Sequence, residues 1–90
     1  MEKRVALIGI IVENKDSVEA LNSILHQYSD FIISRMGLPY KEKDINIISI
    51  GIDAPNDVIN ALTGKIGKLD GITSKTIFSI SGMEPSAFPQ

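Results

Sequence analysis

The chain has 90 residues, a formal net charge of −2 and 43% hydrophobic residues, a composition that predicts one small globular domain. It contains no cysteine, which excludes disulfides, thiolate metal sites and cysteine catalysis. The slightly acidic balance gives nucleic acid no broad electrostatic attraction. Isoleucine occurs 16 times and aromatic residues make up only 6% of the chain, so the placement of the isoleucines is the main structural signal.

The sequence predicts a cytoplasmic protein that does not enter a membrane. No stretch approaches the roughly 20 apolar residues that a membrane-spanning helix requires. The apolar run at residues 5–12 is bounded by charged residues and lacks a small-residue cleavage site, unlike a secretory signal peptide.

The first half of the chain predicts a strand, a helix and a second strand. Residues 5–12 are a continuous, β-branched apolar run of strand length. Residues 16–19 have the form of a capping box with Asp16 at the N-cap. The apolar residues that follow, up to Tyr28, recur at helical spacing and predict a helix of about 13 residues. Residues 31–36 predict the second strand, and residues 37–44 predict a charged, turn-rich connection.

The second half repeats this order. Residues 45–52 predict a third strand, and Asp53 and Asp57 are interpreted as charges that favour the start of a second helix. An apolar stripe at residues 59–69 predicts that helix, with Gly71 as its stop. Residues 72–80 predict a fourth, more polar strand, and residues 81–90 predict a tail.

The resulting βαββαβ order is that of an α+β, ferredoxin-like (ACT-like) sandwich. Its four-stranded antiparallel sheet would carry two helices on one face, in a single domain at residues 1–80. Right-handed crossovers place the first and third strands at the centre. This fits their apolar sequences and the polar residues of the other two strands, which guard sheet edges against unwanted pairing.

Two helices cover only one face of such a sheet, yet both central strands are apolar on both faces. In the first strand, one face carries Val5, Leu7 and Ile11 and the other carries Ala6, Ile8, Ile10 and Val12. In the third strand, Ile45 and Ile47 likewise lie on the face opposite to that of Ile48, Ile50 and Ile52. An uncovered apolar patch of several hundred Å², roughly the area of such a sheet face, usually marks an interaction site. We therefore expect a homo-oligomer, a dimer or tetramer, that buries the open sheet face.

Five residues are candidates for binding a small-molecule effector. Asn14, Lys15 and Asp16 follow a strand and precede a helix, where free backbone N–H groups can receive an anion. Capping of the helix is the simpler role for these residues and the one that we favour. Arg35 belongs to a locally basic hairpin region. Gly64 lies in a helical stripe, where we expect close packing along Ala61 and Gly64, with ligand access as the alternative.

No residue set predicts catalysis, a metal centre or an identified cofactor. His26 is the single histidine, and without a second histidine or a cysteine it is interpreted as a surface or capping residue. The Gly64-Lys65-Ile66-Gly67-Lys68 segment does not have the spacing of a phosphate-binding loop. The basic residues near Tyr40 are interrupted by acidic ones, so we expect no direct nucleic-acid binding.

Several segments resemble the small regulators of the iron-only hydrogenase system, and the resemblance extends over residues 3–80. The segments are Lys3-Arg4, Arg35-Met36-Gly37-Leu38-Pro39, Asn46-Ile47-Ile48 and Asn60-Ala61-Leu62-Thr63-Gly64-Lys65-Ile66-Gly67. Its most specific part is Ala-Leu-Thr-Gly-Lys-Ile-Gly, where the family typically has Ala-Leu-Ser-Gly-Lys-Leu-Gly.

The resemblance implies an ACT-like fold and a regulatory, non-enzymatic role in the hydrogenase system. The family is similar in fold to the ligand-binding half of nickel-responsive ribbon-helix-helix repressors. The sequence departs from those repressors in showing neither a ribbon-helix-helix segment nor their His and Cys ligands. We expect an oligomeric domain that senses a small molecule or contacts a protein. The alternatives are a DNA-binding transcriptional regulator and a small oligomeric enzyme using Asp16, His26 or Arg35 between subunits.

Overall fold

The computed structural model describes residues 2–80, and the predicted tail at residues 81–90 lies outside them. The elements along the chain are β1 (Arg4–Val12), a 3₁₀ turn (Lys15–Ser17), α1 (Val18–Gln27), β2 (Ile32–Tyr40), β3 (Ile45–Ala54), α2 (Asn56–Gly67) and β4 (Ile72–Phe78). The predicted ferredoxin-like βαββαβ order is confirmed.

The four strands form one antiparallel sheet in the order β2-β3-β1-β4. The predicted central and edge strands are therefore correct. In the central pair, Ile8 lies opposite Ile50 and Ile10 lies opposite Ile48. These side chains face the two helices and are 8% exposed or less.

The core lies between this face of the sheet and the two helices. Leu21 and Leu25 of α1, and Ile59, Leu62 and Ile66 of α2, are almost fully buried against the strands. Burial of one such aliphatic side chain contributes about 1.5–3 kcal/mol. The i, i+3, i+4 spacing of the apolar residues thus fixes which side of each helix meets the sheet.

The opposite side of the sheet has no helix over it within residues 2–80, and we call it the open face. Its apolar members Val5, Leu7 and Ile11 are each more than 40% exposed. The alternate residues Ala6, Ile8, Ile10 and Val12 are buried. The prediction that β1 is apolar on both sides, with one side covered, is therefore confirmed for the described residues.

Strand β2 is longer than predicted. The segment Gly37-Leu38-Pro39-Tyr40, expected in the connection, continues the strand and pairs with β3 as far as Tyr40 opposite Ile45. The glycine and the proline suggested a turn, but Pro39 lies on an edge strand, where a missing N–H is tolerated. The actual connection is residues 41–44, in which Asp44 has a φ of 56°.

The capping box predicted at residues 16–19 does not form. Asn14 caps the 3₁₀ turn instead, because its Oδ1 accepts a hydrogen bond from the Asp16 backbone N–H at 2.9 Å. The Ser17 hydroxyl donates to the Asp70 carbonyl at 2.7 Å and is not available as a cap. The turn before α1 is thereby tied to the segment before β4.

Gly71 is not the residue that ends α2, which stops at Gly67. It has a φ of +71°, and a Cβ there would collide with the backbone and side chain of Asn14. The close packing predicted at Gly64 is also wrong, because a Cβ at Gly64 would meet no atom within 4 Å. Gly71 is thus required by its surroundings, whereas Gly64 is not.

We expect Gly71→Ala to lower the free energy of unfolding by at least about 1 kcal/mol, since it combines an unfavourable φ with a steric collision. The matched control, Gly64→Ala, should raise it by about 0.5–1 kcal/mol because alanine is the better helix former. Urea unfolding at one fixed protein concentration measures both. A neutral Gly71→Ala would contradict the tight packing described at Asn14.

Candidate functional site

Three surfaces can be compared as candidate sites: the loop at residues 14–16, the open face and a groove beside α1. The loop brings together three of the predicted binding residues, Asn14, Lys15 and Asp16. The side chains of Asn14 and Lys15 already have partners within the fold. Asn14 Nδ2 donates to Asp70 Oδ2 at 2.8 Å, and Lys15 forms an ion pair with Asp44.

These contacts support the capping role that the sequence favours. Asn14 joins the end of β1 to the residue before β4, next to the hydrogen bond from the Glu13 N–H to the Gly71 carbonyl at 2.7 Å. Its amide serves as both donor and acceptor within the fold. The structure thus gives Asn14 a structural role.

The open face carries mostly apolar side chains in rows across the four strands. The members from the edge strands are among the most exposed, with Met36 at 73% and Ile77 at 67%. Strand registers place Leu38, Ile47, Ile11 and Thr73 side by side in one row. Apolar side chains thus occur on all four strands of the open face.

A shallow depression of about 290 Å³ lies near the centre of the open face. Gly9 and Ser49 form its floor because they lie opposite each other on β1 and β3 and carry little or no side chain. Ile11 and Ile47 border it on one side, and Lys75 of β4 borders it on another.

Two charged side chains lie on the open face within its four strands, Asp53 on β3 and Lys75 on β4. The prediction that Asp53 helps to start α2 is wrong, since β3 continues to Ala54 and α2 begins at Asn56. Asp53 lies opposite Val5, and Lys75 lies opposite Gly9. They are two strands and four residues apart, roughly 16 Å by strand geometry, which is too far for an ion pair within one chain.

The third surface is a groove between α1 and the helix-side face of β2. Arg35 of β2 reaches across it and donates from Nη2 to Asn22 Oδ1 of α1 at 2.6 Å. The groove has a volume of about 290 Å³, and His26 and Ser29 also line it. We call it the α1–β2 groove.

The predicted binding residues are therefore not one constellation. Arg35 lies on the edge strand, two strands away from β1, and Gly64 lies on the exposed side of α2. Sequence reasoning missed Asn22 as the partner of Arg35, and treated His26 separately. The helical spacing of Asn22 and His26 gave a signal that they share a face, but not that this face borders β2.

No group of three metal-ligating side chains comes together among residues 2–80. Over the same range, no helix is long and apolar enough to cross a membrane.

The topology and the two-layer core define a small ferredoxin-like domain of the ACT-like kind. Residues 4–76 match the TM1266-like family, described as "Iron-only hydrogenase system regulator, putative". The match covers most of the chain, so the chain belongs to this family, and the resemblance seen in the sequence is confirmed.

Two solved structures are similar to this fold. "Uncharacterized protein TM1266" from Thermotoga maritima has a TM-score of 0.82 and 35% sequence identity, over 86% of this chain and 98% of the other. An "Unknown Protein from Galdieria sulphuraria" has a TM-score of 0.61 at 13% identity, over 93% of this chain and 49% of the other. The second likeness concerns the fold alone.

A curated relative from Saccharolobus solfataricus is named "Putative nickel-responsive regulator". It is 33% identical over 66 residues, which are 73% of this chain and 49% of the relative. The chain thus spans about half the length of this relative. The names of the family and of this relative point to regulation and not to an enzymatic activity.

We expect Asn14→Ala to lower the free energy of unfolding by about 1 kcal/mol, because it removes a turn cap and the bond to Asp70. Lys15→Ala is the matched control and should change it by less than about 0.5 kcal/mol, since the Lys15–Asp44 pair is exposed. Chemical unfolding of both variants tests this. Equal effects of the two substitutions would contradict a structural role specific to Asn14.

Proposed function

We propose that this chain is a non-enzymatic regulatory domain of the iron-only hydrogenase system that works as a homodimer formed through the open face. The single observation that carries the dimer is the apolar, helix-free side of the sheet, with Leu7, Ile11, Met36 and Ile77 all exposed. Burying such a surface removes apolar area from water, at a gain of about 25 cal/mol per Å².

The size of the open face suits a dimer. Four strands at about 4.8 Å spacing and nine residues at about 3.3 Å per residue give a rectangle of roughly 550 Å². Two copies would then bury roughly 1,100 Å², slightly above the 1,000 Å² or so expected of a specific interface. One copy therefore provides enough area for a second copy without help from another protein.

The charges of the open face favour a second copy as its partner. A two-fold interface must be self-complementary, so every contact between two different residues occurs twice. Leu7 lies midway between Lys75 and Asp53 in the strand registers. A two-fold axis that passes near Leu7 can therefore set each Lys75 opposite Asp53 of the second copy. The one positive and one negative charge of the face then form two ion pairs.

The name of the curated relative suggests a response to nickel, but the residues here do not fit a nickel site. The chain has one histidine and no cysteine, and residues 2–80 contain no cluster of three ligands. Imidazole and thiolate are the side chains suited to binding such a metal. We therefore propose that the regulation works through a small-molecule effector or a protein partner and does not require nickel binding.

We expect a solution mass of twice 9.8 kDa at micromolar concentration in sedimentation equilibrium. Leu7→Asp should give a monomer, because it places two carboxylates next to each other at the proposed axis. Ala61→Asp, which adds the same charge on the exposed side of α2, should remain dimeric. A monomeric unsubstituted protein, or a dimer that Leu7→Asp does not weaken, would overturn the open-face dimer.

A charge-reversal pair tests the proposed register. Asp53→Lys and Lys75→Asp should each weaken self-association by at least about tenfold, since each places like charges opposite one another. The double variant restores opposite charges and should recover most of the affinity, which the same sedimentation experiment measures. Additive losses in the double variant would show that the two residues do not meet across the interface.

A further inference from the structure

Strand β2 is exposed on both of its faces, which no other strand of the sheet is. Every residue from Ile33 to Tyr40 is exposed, although α1 lies on that side of the sheet. The helix packs instead toward the sheet centre, where Leu21 and Leu25 are buried. The α1–β2 groove exists because the helix leaves the edge strand uncovered.

The groove combines an apolar floor with polar groups at its rim. The apolar side chains of Leu25 and Ile32 form the floor of the groove, and Leu25 is almost fully buried. The rim consists of Asn22, His26, Ser29 and Arg35. An apolar surface with a few convergent polar groups is the usual composition of a small-molecule site.

Arg35 supplies the charge of this groove and has no carboxylate partner. The one ion pair within residues 2–80 joins Lys15 to Asp44, and no aspartate or glutamate lines the groove. A guanidinium has five N–H donors. The described hydrogen bond to Asn22 uses Nη2 and holds the side chain across the groove, so other donors of the fork can bind a ligand.

A second, smaller depression of about 190 Å³ adjoins the same side chain. Asn22 and Arg35 line it together with Pro39 and Asn46, again without a carboxylate. The Asn22–Arg35 pair therefore stands between two depressions along one side of α1. A ligand bound at Arg35 has room on either side of the guanidinium.

We propose that the α1–β2 groove binds a small organic anion whose carboxylate or phosphate group pairs with Arg35 and whose apolar part rests on Leu25 and Ile32. A planar guanidinium pairs with both kinds of acid group through two parallel hydrogen bonds. His26 and Ser29 lie at the same rim and add donors to the acid group. The volume of about 290 Å³ fits a ligand of about ten non-hydrogen atoms.

This site gives a chemical class to the small-molecule effector in the proposed function, but it does not depend on the dimer. The groove lies on the helix side of the sheet, and the proposed dimer uses the open face. Side chains alternate between the two sides of a strand, so Arg35 and Met36 are adjacent in sequence and belong to different surfaces. Ligand binding and self-association can therefore fail separately.

The test is a titration of the ¹⁵N-labelled full chain with phenyl phosphate and, separately, benzoate, followed by two-dimensional NMR in a buffer without competing anions. We expect saturable shifts, with at least one probe, at the Arg35 side-chain N–H and at amides of α1 and β2. Inorganic phosphate should bind at least about tenfold more weakly, because it lacks the apolar part. Equal affinity for inorganic phosphate would overturn the role of the floor, and no saturation with either aromatic probe would overturn the site.

Two variants identify the residues involved. Arg35→Gln should weaken binding by at least about tenfold through loss of a charge-assisted pair. Asn22→Asp retains Arg35 but gives it an internal carboxylate partner, and should weaken binding similarly. The matched control Lys43→Gln removes one positive charge from the exposed 41–44 turn and should bind as the unsubstituted chain does.

Sedimentation of the same samples separates the two proposals. Arg35→Gln should keep the mass of the unsubstituted protein, whatever that mass is, while binding the aromatic probe at least about tenfold more weakly in the NMR titration. If Arg35→Gln binds the aromatic probes as tightly as the unsubstituted chain does, or if Lys43→Gln loses as much affinity as Arg35→Gln, the groove is not the binding site.

Discussion

The antiparallel pairing of β1 with β3 is the constraint on which the rest of this structure depends. Its register sets Ile8 opposite Ile50 and Ile10 opposite Ile48, and these four side chains form the surface on which both helices pack. A slip of one residue in either strand would turn the two isoleucines of that strand toward the other face. That register also determines the residues of the open face, because in an apolar strand the side chains that do not face the helices must face away from them.

Much of the fold could be predicted from the sequence because its strongest signals are local. The two central strands are β-branched runs bounded by charge, and the helices have continuous apolar stripes, so their identity follows from period and length alone. The errors fall where tertiary contacts decide the outcome. Residues 37–40 have the composition of a turn but pair with β3, and Asp53 has the chemistry of a helix start but lies inside a strand. Local propensity gave the wrong answer in both places because the sheet register determined the structure.

The candidate sites show the same contrast between what local sequence predicts and what tertiary contacts decide. Asn14, Lys15 and Asp16 are adjacent in sequence, so their grouping required no structure, but their partners Asp70 and Asp44 are distant along the chain and could not be anticipated. Those partners are what give Asn14 a structural role. Arg35 and Asn22 are 13 residues apart and meet only because α1 leaves the edge strand uncovered. A gap left by packing has no sequence motif, so this groove could be found only from the structure.

Strand β2 belongs to both surfaces for which we propose a role, the open face and the α1–β2 groove. Arg35 points toward α1, and the neighbouring Met36 and Leu38 extend the open face. The strand is held by β3 along one edge and has no helix packed firmly over it, and segments with few buried contacts are those that move at least cost. A displacement of β2 that accommodates a ligand at Arg35 would therefore also shift Met36 and Leu38 on the other side of the same strand. Because this edge strand forms part of both surfaces, the proposed ligand site and the proposed dimer interface would be coupled through β2, with no change required in the β1–β3 core.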